Sequence, residues 1–154
     1  MNVLSIFDGI SCGQLALQKA SINYDKYIAS EIDRHSLVVT KRNFPNTINI
    51  GDVNNWKENF SLCTDNIDLL LAGSPCQGFS KSGQQLNFND KRSKLFFKFM
   101  EIFKEAKPKY FLLENVVMKK EWEDIITSYL NVSPIRINSS LVSCQNRDRI
   151  YWTN

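Results

Sequence analysis

Histidine is almost missing from this sequence, with His35 its sole example. The four cysteines, Cys12, Cys63, Cys76 and Cys144, form no C-x-x-C pair. A zinc site needs about four clustered ligands, so no metal site is expected. Glycine and proline are scarce, at six and four residues, and nowhere do they gather into a linker. No apolar run approaches the ~18 residues of a membrane helix. The opening residues Met1 to Gly9 place no basic region ahead of the apolar stretch, so they do not read as a signal peptide. The expectation is a cytoplasmic protein with reduced thiols and no membrane contact. A net charge of +3 excludes a histone-like polycation but allows a locally basic face. What is present is ordinary globular material: 154 residues, 43% hydrophobic and 23% charged, enough for one domain with its own core.

Short apolar runs alternate with amphipathic stretches. Val3–Phe7, Tyr27–Ala29, Thr47–Ile50, Ile67–Ala72 and Tyr110–Leu113 have strand length and end in turn residues or acids. Gln14–Ala20 and Arg34–Asn43 suit helices, the second stopped before Pro45. Arg92–Ala106 is the clearest helix, because Phe96, Phe99, Phe103 and Ala106 share a face. Trp122, Ile125, Ile126 and Tyr129 fit another. Ile135–Val142 and Arg149–Trp152 are β-rich. Strands alternating with helices imply βαβ units and a mostly parallel sheet. Ligands bind such sheets beyond the carboxyl ends of the strands. Those ends carry Asp8-Gly9, Glu31, Asp52, Pro75-Cys76 and Glu114-Asn115.

Each of these ends has a chemical use. Phe7-Asp8-Gly9-Ile10-Ser11-Cys12-Gly13 joins the first strand to the first helix, and its glycines allow a sharp turn and close ligand approach. The helix start offers free N–H groups to a carboxylate. Glu31, about 20 residues on, can accept hydrogen bonds from both hydroxyls of a ribose. Asp52 can accept from an adenine amino group. In Gly73-Ser74-Pro75-Cys76-Gln77-Gly78, Pro75 fixes the backbone before a thiol, and small neighbours leave the sulfur reachable. Cys76 is therefore a candidate nucleophile. Glu114 is a candidate for proton transfer or hydrogen bonding to a substrate. Gln145, Arg147 and Arg149 share one face if the chain is extended there, and two arginines can hold a phosphate or a carbonyl oxygen.

In this order, the glycine loop, Glu31, Asp52, Pro75-Cys76-Gln77, Glu114-Asn115-Val116 and Gln145-x-Arg147-x-Arg149 resemble the motifs of the DNA cytosine-C5 methyltransferases, from Leu4 to Trp152. The resemblance implies a Rossmann-like fold with helices on both faces of the sheet and S-adenosylmethionine as cofactor. Phe7, Asp8, Gly9, Ser11, Gly13, Glu31, Ile32, Asp52, Val53 and Pro75 would line the cofactor site. Cys76, Glu114, Arg147 and Arg149 would be catalytic, acting on a flipped-out cytosine. Gln77, Ser80, Lys81, Ser82, Lys91 and Arg92 would contact DNA, as a basic segment interleaved with small residues can.

Two departures stand out. Most members of that family have glycine where Ser11 sits. They also continue into a target-recognition domain and a segment that returns to the first strand, and residues 1–154 hold only the catalytic domain. The expectation is an enzyme that is active alone or with a second chain supplying the missing part, the self-associated form included. An exposed apolar patch is expected near the first strand and helix. A remnant that binds cofactor, DNA or a partner without turnover competes with this reading. A tRNA cytosine-C5 methyltransferase shares the chemistry, but no aromatic-rich RNA platform supports it.

Overall fold

The apolar runs organise one sheet. The structure, a computed structural model, describes residues 1–73 and 94–154. The chain runs β1 (Asn2–Ile6), α1 (Cys12–Lys19), β2 (Lys26–Ser30), α2 (Arg34–Asn43) and β3 (Ile48–Asn49). A 3-10 segment, Val53–Asn59, leads into α3 (Phe60–Thr64) and β4 (Ile67–Gly73). Then come α4 (Lys94–Ala106), β5 (Tyr110–Val116), α5 (Lys120–Leu130), β6 (Ile135–Asn138) and β7 (Asp148–Thr153). Among the described residues the strands form a single sheet in the order β3-β2-β1-β4-β5-β7-β6. The pairs β1–β2, β1–β4, β2–β3 and β4–β5 are parallel, and β7 is antiparallel to both β5 and β6. The expected mostly parallel sheet is therefore observed.

Side chains alternate across a strand, so each strand serves two layers. On one face Leu4, Ile6, Leu70, Phe111, Leu113, Ile150 and Trp152 are buried with Phe96 and Phe99 of α4 and Ile126 of α5. The Trp152 indole N–H donates to Thr127 Oγ1 at 3.0 Å, which ties β7 to α5. On the other face Leu17 of α1 covers Val3, Tyr27 and Ala29. That cover stops short. Leu69, Leu71, Leu112 and Tyr151 are half-buried, and Tyr110 is exposed.

Two expectations need correction, and residues 53–64, to which the sequence assigned no element, form the 3-10 segment and α3; the spacing of Val53, Trp56, Phe60 and Cys63 was the available signal. Trp56 and Cys63 are fully buried, and the Trp56 ring stacks on Phe60 at 5.5 Å. Burial also raises the Cys63 thiol pKa to about 11, as suits a core cysteine. The run Ile135–Val142 is strand only to Asn138, whose side chain accepts from the Ser140 N–H and caps a 3-10 turn, Ser139–Leu141. Gln145 precedes β7 instead of extending it and is exposed.

The 3-10 segment is fastened to α4 by charge. Glu101 bonds Lys57 at 2.8 Å and Lys98 at 2.6 Å. These partners hold the Glu101 carboxyl down at about 2. A depressed folded pKa gives stability that is present above the unfolded value, near 4.3, and lost as pH falls through the folded one. Thermal unfolding between pH 4.5 and 2 is therefore expected to depend on pH less steeply in Glu101→Gln than in the wild type. Parallel curves would show that the pair contributes nothing.

Candidate cofactor cleft and catalytic corner

The loop between β1 and α1 turns by adopting left-handed backbone conformations. Phe7, Gly9 and Ser11 have φ of 58°, 60° and 60°. Glycine accepts this freely, whereas a side chain there costs about 1–2 kcal/mol. Phe7 and Ser11 therefore need support from their surroundings. Glu31, just after β2, supplies much of it. Its Oε2 accepts from the Gly9 N–H at 2.7 Å, and its Oε1 accepts from the Ile32 and Asp33 N–H groups at 2.8 Å each. One carboxylate thus joins the ends of β1 and β2. Asp8 is held by the Tyr27 hydroxyl at 2.8 Å and by the Ser11 hydroxyl. At Gly13 a Cβ would lie 2.7 Å from both the Tyr27 hydroxyl oxygen and a Leu71 methyl, so only glycine lets α1 sit this close to the sheet.

Two cavities meet at Phe7. A cleft of about 200 Å³ is lined by Phe7, Glu31, Ile32, Asp52, Val53 and Leu95, among others. It brings together five of the residues expected to hold a cofactor. Ile32 is 66% exposed, presenting an apolar side chain at the rim. Asp52 caps the 3-10 segment by accepting from the Asn54 N–H at 2.9 Å. Leu95 was missed from sequence because it reads as part of the α4 core face. The second cavity, about 730 Å³, runs from Phe7, Asp8 and Gly13 across the uncovered sheet face to Glu114 and Arg147. Ser11 is fully buried beneath the loop. A further cavity of about 280 Å³ also has Asp8 and Glu31 in its wall.

At the end of β5, Glu114 faces the uncovered side because it alternates with buried Leu113 and Asn115. The antiparallel return of β7 places Arg149 opposite Val116 and Tyr151 opposite Glu114. Arg149 Nε meets Glu114 Oε1 at 2.7 Å, and an Arg147 Nη lies 3.7 Å from the same oxygen. The second arginine nitrogen set is used too, since Arg149 Nη1 donates to the Asp148 carbonyl at 2.8 Å. Gly73, the last residue of β4, pairs with Glu114, and a Cβ built on it would lie 3.5 Å from Glu114 Oε2. Pro75, Cys76, Gln77, Ser80, Lys81, Ser82, Lys91 and Arg92 lie outside the described residues. Among the described residues no cluster of His, Cys, Asp or Glu could hold a metal ion. Nor is any of their helices long and apolar enough to cross a membrane.

This architecture, a mostly parallel seven-stranded sheet with a loop and two acids at successive strand ends, is the S-adenosylmethionine-dependent methyltransferase fold. Residues 1–129 match the family model for C-5 cytosine-specific DNA methylases, and the chain belongs to that family. It is 32% identical over 164 residues to an orphan methyltransferase of Bacillus phage SPR, M.SPRI, covering 98% of this chain and 37% of the relative. It is 38% identical over 117 residues to the type II methyltransferase M.NgoBV of Neisseria gonorrhoeae, covering 75% of this chain and 27% of that protein. A prophage-encoded E. coli protein, described as a DNA modification methyltransferase, superposes with a TM-score of 0.75 at 28% identity. That match covers 99% of this chain and 46% of the other. The chain thus spans about a third of the curated relatives it matches.

Replacing Glu31 by Gln turns one accepting oxygen into an NH2 group that cannot accept. Leaving a backbone N–H unpaired costs about 1–3 kcal/mol. For a chain of this size Glu31→Gln should lower the melting temperature by several degrees, about 2–4 °C per kcal/mol. An unchanged melting temperature would mean the three bonds do not support the loop.

Proposed function

We propose that this chain is the cofactor-binding and nucleophile-bearing part of an enzyme that methylates C5 of cytosine in DNA through a covalent bond to Cys76. The observation that carries this reading is the Glu114–Arg149 contact of 2.7 Å beside Gly73. It lies on the strand-end edge that also carries the cleft of Phe7, Glu31 and Asp52. Cys76 follows Gly73 by three residues, which extended chain spans in at most about 11 Å.

The cleft suits S-adenosylmethionine by its chemistry. Phe7, Ile32, Val53 and Leu95 offer apolar walls to the adenine. Asp52 supplies an acceptor for an amino group, and Glu31 one for ribose hydroxyls. Three of the roughly four acceptor positions on the Glu31 carboxylate already hold backbone N–H groups. A ribose that donates both hydroxyls therefore competes with one of these backbone N–H groups. The bound cofactor supplies an electrophilic methyl group on a sulfonium.

The chain's own residues prepare the base. With the cytosine flipped out of the duplex, the Cys76 thiolate adds to C6. The electrons of the C5–C6 double bond move onto C5, with charge spreading toward N3 and O2. Glu114 hydrogen-bonds or protonates N3 and draws that charge away. Arg149, with Arg147, holds O2 and fixes the orientation of Glu114. After methylation, loss of the C5 proton to a base and departure of the thiolate restore the ring. Gln77, Ser80, Lys81, Ser82, Lys91 and Arg92 hold DNA in the segment after the nucleophile.

The uncovered sheet face supports dependence on a further polypeptide that packs against it. Leu69, Leu71, Tyr110, Leu112 and Tyr151 line a cavity continuous with Phe7 and Asp8. Apolar surface of this kind invites a protein cover. The same face suits a remnant that binds without turnover, and one residue separates the two readings. Transfer of labelled methyl groups to DNA, measured with the full complement of chains, should be abolished by Cys76→Ser while calorimetric affinity for S-adenosylmethionine stays the same. Full activity in Cys76→Ser would remove the covalent mechanism. Titration of the pure chain should show weak binding of S-adenosylmethionine. Affinity equal to that of full-length relatives would remove the need for a partner.

A further inference from the structure

Tyr27 lies in β2, opposite Val3 of β1, and is 2% exposed. A tyrosine buried this deeply must find a partner for its hydroxyl. Here the O–H reaches past Gly13 and donates to Asp8 Oδ1 at 2.8 Å. The other Asp8 oxygen accepts from the Ser11 hydroxyl. Thr40 of α2 extends the chain, donating toward Ser11 Oγ at 3.2 Å and toward the Gly9 carbonyl at 3.4 Å. The carboxylate is thus held by neutral hydroxyls, and among the described residues no cation pairs with it. Asp8 and Gly13 read as loop residues from sequence, whereas Tyr27 read as plain strand core.

We propose that Tyr27 is a positioning residue for cofactor binding: its hydroxyl, admitted by the missing side chain of Gly13, fixes the Asp8 carboxylate and so holds the 7–13 loop in its left-handed form. The network begins in the sheet and ends on the loop, so it transmits the rigidity of β1 and β2 to a segment whose φ angles are unfavourable. Burial, and then the neighbouring Asp8 charge, push the Tyr27 pKa upward, so the phenol remains a donor across the physiological range. Phenylalanine keeps the ring and loses only the link to Asp8.

The inference rests on the cofactor reading above, and two measurements keep the two distinguishable. Calorimetric titration with S-adenosylmethionine should show Tyr27→Phe weakening affinity about tenfold, the equivalent of one net hydrogen bond. In an Asp8→Ala background Tyr27→Phe should add almost nothing, because removing the acceptor and removing the donor break the same link. Equal affinity of Tyr27→Phe and wild type, or a full tenfold loss persisting in Asp8→Ala, overturns the proposal. Should wild type bind no S-adenosylmethionine even with its full complement of chains, the cofactor reading fails by itself. Amide NMR then decides on Tyr27 without any ligand. Tyr27→Phe should shift the Gly9 and Gly13 resonances while leaving α5 unmoved, and an unperturbed loop overturns the proposal. As an internal check on geometry, Gly13→Ala should melt lower than wild type, and Gly13→Ala with Tyr27→Phe should recover part of the loss. Removing the hydroxyl leaves the ring carbon at an ordinary 3.8 Å from the added Cβ. No recovery would mean that the hydroxyl is not what Gly13 accommodates.

Discussion

β4 hydrogen-bonds to β1 on one side and to β5 on the other, both in parallel, so three carboxyl ends finish side by side. Ile6 pairs with Ala72, and Gly73 pairs with Glu114. This alignment brings Phe7, Gly73 and Glu114 to one edge of the sheet. Phe7 and Asp8 follow β1, Glu31 follows β2 in register with it, and the chain toward Cys76 leaves from Gly73. A slip of one residue in β5 would turn Glu114 to the packed face and bring Leu113 to the open one. The two layers of large side chains, Phe111 and Leu113 against Phe99 and Ile126, penalise that slip strongly.

The two faces of the sheet do different work. One is filled by α4, α5 and the Val53–Thr64 segment, and its aromatic residues stack through Phe96, Phe99 and Phe103. The other has α1 over its β1–β2 half only. Glu114, Arg149 and Tyr151 project from that open half. The acid therefore has solvent access while its strand is held by pairing on both sides. The side chain of Arg149 is 19% exposed and its guanidinium is bonded twice, so its position is set by the fold itself.

How far the sequence discloses this depends on the range of the interaction. α2 was legible to the residue, because Asp33 caps it locally and Pro45 follows its end. β4 and β5 were legible from apolar runs that end in glycine or an acid, and α4 from the face shared by Phe96, Phe99, Phe103 and Ala106. The Val53–Cys63 helix was hidden by its Asn-Asn-Trp-Lys-Glu-Asn centre, which has poor helix propensity, and only burial of Val53, Trp56 and Cys63 compensates. The placement of β7 between β5 and β6 is a pairing across more than thirty residues, with no local mark. The arginines were legible as a pair on one face, but their meeting with Glu114 depends on that pairing. The Tyr27 link was obscured for a similar reason: its partner lies in another element, and an aromatic residue in a strand looks like core.

Ser11 shows how a departure from a family pattern can be absorbed. The position has φ 60°, which explains why glycine suits it. Serine there carries a backbone cost, and its hydroxyl does not cap α1, although it stands at the N-cap position. The hydroxyl turns instead to Asp8, three residues back, and receives Thr40. A helix of eight residues thus gives up a capping bond so that a loop carboxylate can be held from a second side. Glycine at this position would free the backbone but leave Asp8 with Tyr27 alone and Thr40 without its side-chain acceptor. Ser11, Asp8, Tyr27 and Thr40 therefore form one unit, and the departure at Ser11 is intelligible only together with the aspartate that it serves.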